Sequence, residues 1–188
     1  MSARDHGRLR IIAGKWRSRK LVFPDQENLR PTPDRVRETL FNWLQADVPG
    51  SVCLDLFAGS GALGLEAASR GAGEVILVEK DSDASAALAQ NIAMLEAGNI
   101  QLVTDDALSW LEQSGRRYDI VFLDPPYKSG LLGQCCDLLE SGKNLAENAK
   151  IYIEHALGDE DIDIPDNWDC VKNKSAGQVS YKLFSRVQ

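Results

Sequence analysis

The sequence predicts an α/β domain: a doubly wound, mostly parallel sheet of seven strands with an antiparallel last strand, preceded by a small N-terminal hairpin. Three observations carry this prediction. The apolar run Val52 to Asp55 passes through a glycine-rich turn, Gly59-Ser60-Gly61, into an alanine- and leucine-rich helical stretch; strand, turn and helix in that order make the first unit of a nucleotide-binding sheet. Further apolar runs then alternate with helical segments, as βα units do. Two strand-like runs at the end, Trp168 to Lys172 and Gln178 to Phe184, are joined by Ser175-Ala176-Gly177 and predict a terminal hairpin.

The elements follow in order. Residues 1–30 read as a basic extension and 31–188 as the main domain. In the extension, Leu9 to Ile12 and Lys20 to Phe23 flank a basic turn from Lys15 to Lys20, predicting a hairpin that presents its charges and Trp16 outward. An indole among cations can stack on a base; it can also cover an edge of the core. Thr32 suits an N-cap and Pro33 a first helical position, and Val36, Leu40, Trp43 and Leu44 recur at helical spacing. After the glycine loop, Leu63 to Arg70 reads as a helix stopped by Gly71 and Gly73, and Glu74 to Val78 as a strand ending at Glu79. Asp81 caps the next predicted helix, which runs to about Ala97. Ile100 to Val103 is a third strand, followed by Asp105, which can cap the helix through Leu111 or accept from an adenine amino group. Tyr118 to Leu123 is a buried fourth strand; a helix over Leu131 to Leu139 and a strand over Ala149 to Glu154 precede the closing pair. Cys135 and Cys136 read as core thiols on that helix, and His155 as a residue of the same rim as the strand tips.

Composition narrows the class. With 188 residues, 44% of them hydrophobic, the chain can bury one core and is short for two. No apolar run approaches the roughly 20 residues of a membrane span, and the start has no apolar core of an export signal. Four cysteines without a Cys-x-x-Cys pair and two histidines indicate neither a metal site nor a disulfide framework, so a cytoplasmic protein is expected. The net charge of −7 divides unevenly: residues 1–43 hold ten Lys/Arg and five Asp/Glu, a net of +5, and the remainder eleven and twenty-three, a net of −12. The basic arm, with Arg8, Arg10, Lys15, Trp16, Arg17, Arg19 and Lys20, can hold nucleic-acid phosphates, or it can be a solvated tail.

Two stretches carry chemistry. Gly59 to Gly64 matches the dinucleotide pattern G-x-G-x-x-G and suggests NAD. Asp55, at the strand end where a pyrophosphate would lie, would repel a dianion and pair with a cation. S-adenosylmethionine (SAM) carries a sulfonium and an ammonium there, so Asp55 favours a methyl donor. Glu79, at the second strand's tip, is where such folds hold ribose hydroxyls. The second stretch is Asp124-Pro125-Pro126-Tyr127, in which consecutive prolines remove two N–H donors and keep the Pro125 carbonyl out of any ladder. Acceptors and a flat ring are thereby gathered at one strand tip.

The Asp-x-Phe-x-Gly-Ser-Gly loop, the Glu79 tip and Asp124-Pro-Pro-Tyr127 resemble class I SAM-dependent amino-methyltransferases, which have a Rossmann-like fold. With Arg30 to Leu44 and Gly59 to Ala72 added, residues 9 to 185 resemble the bacterial RsmD family, which methylates N2 of a guanine in 16S, small-subunit, ribosomal RNA. The resemblance implies that Asp55 and Gly59, Ser60 and Gly61 hold the methionyl end, Glu79 the ribose, and Asp106 the adenine. Phe57, Lys80 and Ala107 complete that set, the helix from Thr32 to Asn42 covers the donor, and Asp124 to Tyr127 hold the target base. It implies ribosomal RNA as partner, free or in an assembling particle, a monomer, and no metal. The chemistry agrees: hydrogen bonds from an exocyclic amino group to Asp124 and the Pro125 carbonyl favour a pyramidal nitrogen, its lone pair aimed at the methyl group. Tyr127 can stack on an unstacked base. Rivals are a DNA adenine or cytosine amino-methyltransferase, an NAD-dependent oxidoreductase and a non-catalytic RNA-binding scaffold.

Overall fold

A computed structural model describes residues 6–24, 32–126, 129–158 and 162–187. An N-terminal hairpin pairs β1 (His6–Arg10) with β2 (Lys20–Pro24), and α1 (Asp34–Trp43) follows. The main sheet alternates with helices as β3 (Val52–Asp55), α2 (Gly64–Ser69), β4 (Glu74–Val78), α3 (Ser82–Leu95), β5 (Ile100–Val103), α4 (Ala107–Gln113), β6 (Tyr118–Leu123), α5 (Leu131–Ser141) and β7 (Leu145–Ala156). It closes with β8 (Trp168–Ala176) and β9 (Val179–Arg186), in the spatial order β5-β4-β3-β6-β7-β9-β8. Only β9, inserted between β7 and β8, opposes the other strands of this sheet. The chain steps outward from β3 to β5 and then returns to β6 on the other flank of β3, so the crevice of the fold opens between the carboxyl ends of β3 and β6.

Both faces of the sheet are covered, which is why its central strands are apolar almost throughout. Cys53, Val75, Leu77, Ile120, Phe122 and Tyr152 face a core shared with α1, α2, α3 and the hairpin. Leu54, Ile76, Val121, Leu123, Ile151 and Ile153 face a second core, shared with α4 and α5, that includes Cys135 and Cys136. Three expectations shift. The first main helix starts at Asp34, not at Pro33 under a Thr32 cap, because Pro33 is itself extended (φ −56°, ψ 147°) and stands in the cap position with no side-chain cap bond. β7 begins four residues before Ala149, since a register shift between Tyr118 and Ile120 lets Leu145 pair with Tyr118. β8 continues to Ala176, which pairs with Val179, so the last turn lies at Gly177-Gln178.

The hairpin is anchored by a buried charge. Glu66 on α2 accepts from the N–H groups of Ile12 (2.8 Å) and Ala13 (3.0 Å) and from Arg70 (2.7 Å), and its other neighbour is Arg37 (3.4 Å). Arg37 is also fully buried and reaches Asp34 (2.6 Å) and the Arg10 carbonyl (2.9 Å). One turn further along α2, Ser69 accepts from the Trp16 and Lys15 N–H groups, at 3.0 and 2.7 Å, and donates to the Ala13 carbonyl at 2.6 Å. Gly14 is pressed so closely onto this helix that a Cβ would stand 1.8 Å from the Ser69 carbonyl oxygen. The indole of Trp16 is therefore turned inward, 7% exposed, and the expectation of an outward stacking ring is corrected. Its backbone is held against α2, and its apolar surface gains more from the core than from water.

Removing Glu66 leaves Arg37 buried beside a weaker set of partners, a change that costs about 3–5 kcal/mol; Glu66→Ala is expected to lower the urea midpoint accordingly, and an unchanged midpoint would remove this role. At the far edge, Glu140 on α5 binds Arg186 (2.6 Å), the Trp168 indole N–H (3.0 Å) and Asn167 (3.0 Å). The Arg186 hydrogen bond, ahead of the others, holds the Glu140 carboxyl down at about 2. Its stabilisation is thus present above the ordinary carboxylate range and is lost as pH falls through about 2. Glu140→Gln should cost roughly 1–3 kcal/mol at pH 7 after allowance for partial exposure, and progressively less in denaturant titrations toward pH 2.

Candidate active site at the carboxyl rim of the sheet

Four loops meet along the carboxyl rim, and each starts from the tip of a strand. At the end of β3, Asp55 is 3% exposed, and its Oδ2 accepts from the Gly64 N–H at 2.8 Å. That approach needs glycine: a Cβ on residue 64 would stand 2.1 Å from Leu77 Cδ2 and 3.1 Å from the carboxylate. The loop between is tied to the neighbouring strands, with Leu56 N–H on the Phe122 carbonyl (3.2 Å) and Ala58 N–H on the Val78 carbonyl (2.9 Å). Burial, and then the charge of Glu79, push the Asp55 carboxyl up to about 7, against the pull of the Gly64 and Phe57 N–H groups. A buried carboxylate in this state gains from a cationic partner.

At the end of β4, half-buried Glu79 accepts from Gly59 N–H through Oε2 (2.7 Å) and from Asp81 N–H through Oε1 (2.8 Å). A carboxylate has about four lone-pair sites, so each oxygen retains one for a hydroxyl. Lys80 beside it is exposed. Asp81 caps α3 as expected, accepting from Asp83 and Ala84. After β5, the helix cap is Asp106 rather than Asp105: its Oδ1 accepts from Leu108 (3.0 Å) and Ser109 (3.4 Å), while Asp105 accepts from the Asp106 N–H (2.8 Å). Oδ2 of Asp106 and the Ala107 N–H have no partner among the described residues. An acceptor and a donor thus stand side by side, a pairing suited to an adenine edge.

At the end of β6, Asp124 is half-buried and accepts no hydrogen bond among the described residues; Pro125 is buried and its carbonyl is likewise unengaged. Pro126 is exposed, and its carbonyl accepts from Ser129 (3.2 Å). Tyr127 lies outside the described residues. Burial, then the charges of Glu154 and Asp55, raise the Asp124 carboxyl well above its usual range. Glu154 is a member of the site that sequence reasoning missed. Leu123 pairs with Ile153, so Asp124 and Glu154 are next neighbours on adjacent parallel strands, on the same face. Glu154 is 5% exposed and accepts from the Tyr152 hydroxyl at 2.9 Å. The signal available was its position at the predicted end of an apolar strand, the same signal that marks Asp55 and Asp124. His155, by the alternation of the strand, projects to the opposite face, where its Nδ1 lies 3.0 Å from the Ala156 carbonyl.

The crevice therefore brings together Asp55, the Phe57 to Gly61 loop, Glu79, Asp106, Ala107 and Asp124. Thr32 is buried near the start of α1 and forms no hydrogen bond to this set among the described residues. The basic turn is elsewhere. Lys15 binds the carboxyl-terminal end of α2, whereas Asp55 binds its amino-terminal end, roughly 8 Å away along the axis. Arg8, Arg10, Lys15, Arg17, Arg19 and Lys20 are exposed; of these, Arg10 pairs with Asp34 (3.2 Å) and Arg19 donates to the Met94 carbonyl (3.2 Å). Among the described residues no cluster of His, Cys, Asp and Glu has the geometry of a metal site.

Known proteins share both the sequence and this architecture. A family model described as conserved hypothetical protein 95 matches residues 9–185. Ribosomal RNA small subunit methyltransferase D of Escherichia coli K12 is 50% identical over 180 residues, covering 96% of this chain and 91% of that protein. Its namesake from Haemophilus influenzae is 44% identical over 182 residues, covering 95% and 94%. The solved structure of a putative methyltransferase, yhhF, from Escherichia coli superposes with a TM-score of 0.91 at 48% identity, covering 96% of this chain and 99% of that one. By the extent of these matches the chain belongs to the conserved hypothetical protein 95 family, the RsmD methyltransferases.

Proposed function

We propose that this enzyme transfers a methyl group from SAM to the exocyclic N2 of a guanine in 16S ribosomal RNA. The observation that carries the reading is the pair of uncommitted acceptors, the Asp124 carboxylate and the Pro125 carbonyl, on the same rim as the Asp55 pocket. Residues of the rim fit the donor. Asp55 offers a buried counter-charge for its ammonium, and Phe57, Gly59, Ser60 and Gly61 form the loop beside it. Glu79, with Lys80 next to it, offers two free lone pairs for ribose hydroxyls, and Asp106 with the Ala107 N–H offers an acceptor and a donor for adenine. Thr32 and the start of α1 close the donor's outer side. When bound, SAM supplies the electrophilic methyl group.

The chain's own residues then act on the acceptor. Asp124 and the Pro125 carbonyl accept the two N–H bonds of the amino group, withdraw its lone pair from the ring and direct it at the methyl carbon. As the new N–C bond forms the sulfonium S–C bond breaks, its electron pair staying on sulfur as a neutral thioether; the nitrogen is then cationic and loses a proton to Asp124 or water. Glu154, beside Asp124 and fixed by Tyr152, sets how readily Asp124 holds that proton. Tyr127 and Pro126 contact the base from the loop, and the base must leave its stack to reach them. Arg8, Lys15, Arg17 and Lys20, without ion-pair partners among the described residues, offer phosphate contacts away from the crevice.

Small-subunit RNA from cells lacking the gene should accept methyl groups from SAM in the presence of the purified enzyme, with N2-methylguanosine as the product on nucleoside mass mapping; no incorporation would end this reading. Asp55→Ala should weaken SAM binding by one to two orders of magnitude, since a hydrogen-bonded charge partner is worth roughly 1.5–3 kcal/mol. Calorimetry on the folded variant checks this, and an affinity equal to wild type excludes the role. Because the folded Asp55 carboxyl titrates near 7, SAM affinity should rise as pH increases through that value. Asp124→Ala should abolish single-turnover methyl transfer while SAM affinity stays near wild type. In the wild type the rate should climb over a pH range above that of an ordinary carboxylate, because Asp124 must lose its proton to accept its N–H bond as a carboxylate and take up the proton released later.

A further inference from the structure

The crevice is acidic, and the basic turn lies at the other end of α2, so the methyltransferase reading leaves open what holds RNA phosphates close to Asp124. Following the sheet outward from the site answers this. Asp124 neighbours Glu154; Glu154 pairs with Tyr181 on β9; Tyr181 pairs with Lys174 on β8. One row across four adjacent strands thus links the reacting end to a lysine about three strand spacings, roughly 14 Å, away. The alternation of β8 brings Lys172, paired with Leu183, to the same face as Lys174.

Lys174 is more than a loose surface charge. Its ammonium lies 6.0 Å from the centre of the Trp43 ring, which itself stacks on Tyr181 with centroids 5.5 Å apart. The indole therefore turns the lysine back over the face that carries Asp124. Lysines on an edge strand commonly serve to deter pairing with another sheet, and β8 is such an edge. That role accounts for cations pointing anywhere along the edge; it does not require one held over an aromatic ring on the catalytic face. Lys172 and Lys174 are exposed and form no ion pair among the described residues, so their charge is available.

We propose that Lys172 and Lys174, on the row that leads from Asp124 to the sheet edge, bind phosphates of the RNA strand flanking the target nucleotide. The proposal rests on the RNA-methyltransferase reading. Phosphate contacts fix the register of a nucleic acid and leave base choice to the pocket; two cations at this distance hold the strand after the target base has left its stack. They also offset the repulsion between RNA and the carboxylates of the rim.

The test uses the full chain and small-subunit RNA from cells lacking the gene, with RNA affinity measured across a salt series and methyl transfer measured at saturating SAM. For Lys172→Ala/Lys174→Ala the log-log salt slope should fall by about 1.4 if the contacts are to single-stranded RNA and about 1.8 if they are duplex-like. The KM for RNA should rise severalfold, kcat and SAM affinity should stay near wild type, and arginine at both positions should restore the slope. Lys172→Ala alone, which removes no aromatic contact, should lower the slope by about half as much and keeps the test open if the double variant is unstable. Equal slopes and affinities for wild type and a folded double variant overturn the proposal. Failure of the wild type itself to methylate this RNA is a different result, and it overturns the functional reading together with the surface.

Discussion

Glu66 is the point on which the arrangement depends. Its carboxylate is fully buried on α2 and collects two backbone N–H groups from the chain after β1, a guanidinium from α1 and another from its own helix. Buried ion pairs add little net stability over apolar substitutes, because desolvation consumes most of their attraction. What they do is penalise every arrangement in which one partner is missing. Here that penalty fixes α2 relative to both the hairpin and α1. Since Gly64 opens α2 and donates to Asp55, the same helix that carries Glu66 also sets the Asp55 carboxylate in the crevice. The N-terminal segment is thus coupled to the site through six residues of helix.

The opposite end of the sheet is assembled from groups that repel one another. Asp55, Asp124 and Glu154 lie on three adjacent strands; burial raises all three carboxyls, and the charge of Glu79 adds to this at Asp55, as those of Glu154 and Asp55 do at Asp124. A raised carboxyl in the folded state binds protons that the unfolded chain has released. Its contribution to stability is therefore full below the ordinary carboxylate range and declines as pH rises toward the folded value, about 7 for Asp55. The rim is least comfortable near neutral pH without a cation, which is the condition that favours a cationic ligand. Destabilisation of the free site and affinity for a positively charged donor are the same electrostatic fact seen from two sides.

Much of this is legible from the sequence, for a local reason. Asp55, Glu79 and Asp124 each stand at the end of an apolar strand, and a parallel sheet gathers strand ends at one rim. Asp81 as a cap and Gly64 as the close-approach residue follow from neighbours within ten positions. Glu66, Arg37 and Glu154 are not legible in the same way. Glu66 sits in an amphipathic stretch where a solvent-facing glutamate is ordinary, and only the docking of residues 12 and 13, more than fifty positions away, buries it. Trp16 is surrounded by cations in sequence, but its backbone is bound to Ser69, so the ring turns to the core. The Thr32 cap fails because Pro33 is extended and delays the helix by one residue.

The same distinction applies to charge. Counted along the chain, positive charge belongs to the first 43 residues and the remainder is acidic. Counted over the surface, the division is different. Part of the N-terminal charge is spent internally, Arg37 on Glu66 and Asp34, Arg10 on Asp34, Arg19 on a helix carbonyl. Meanwhile the acidic body holds two lysines without ion pairs among the described residues on one edge strand, aligned by register with the acidic rim. Sequence distance separates Lys174 from Asp124 by fifty positions; the pairing of β6, β7, β9 and β8 reduces that to three strand spacings. An acidic protein can therefore offer a polyanion a local path to its active site, because affinity depends on the phosphates actually neutralised and not on the net charge of the chain.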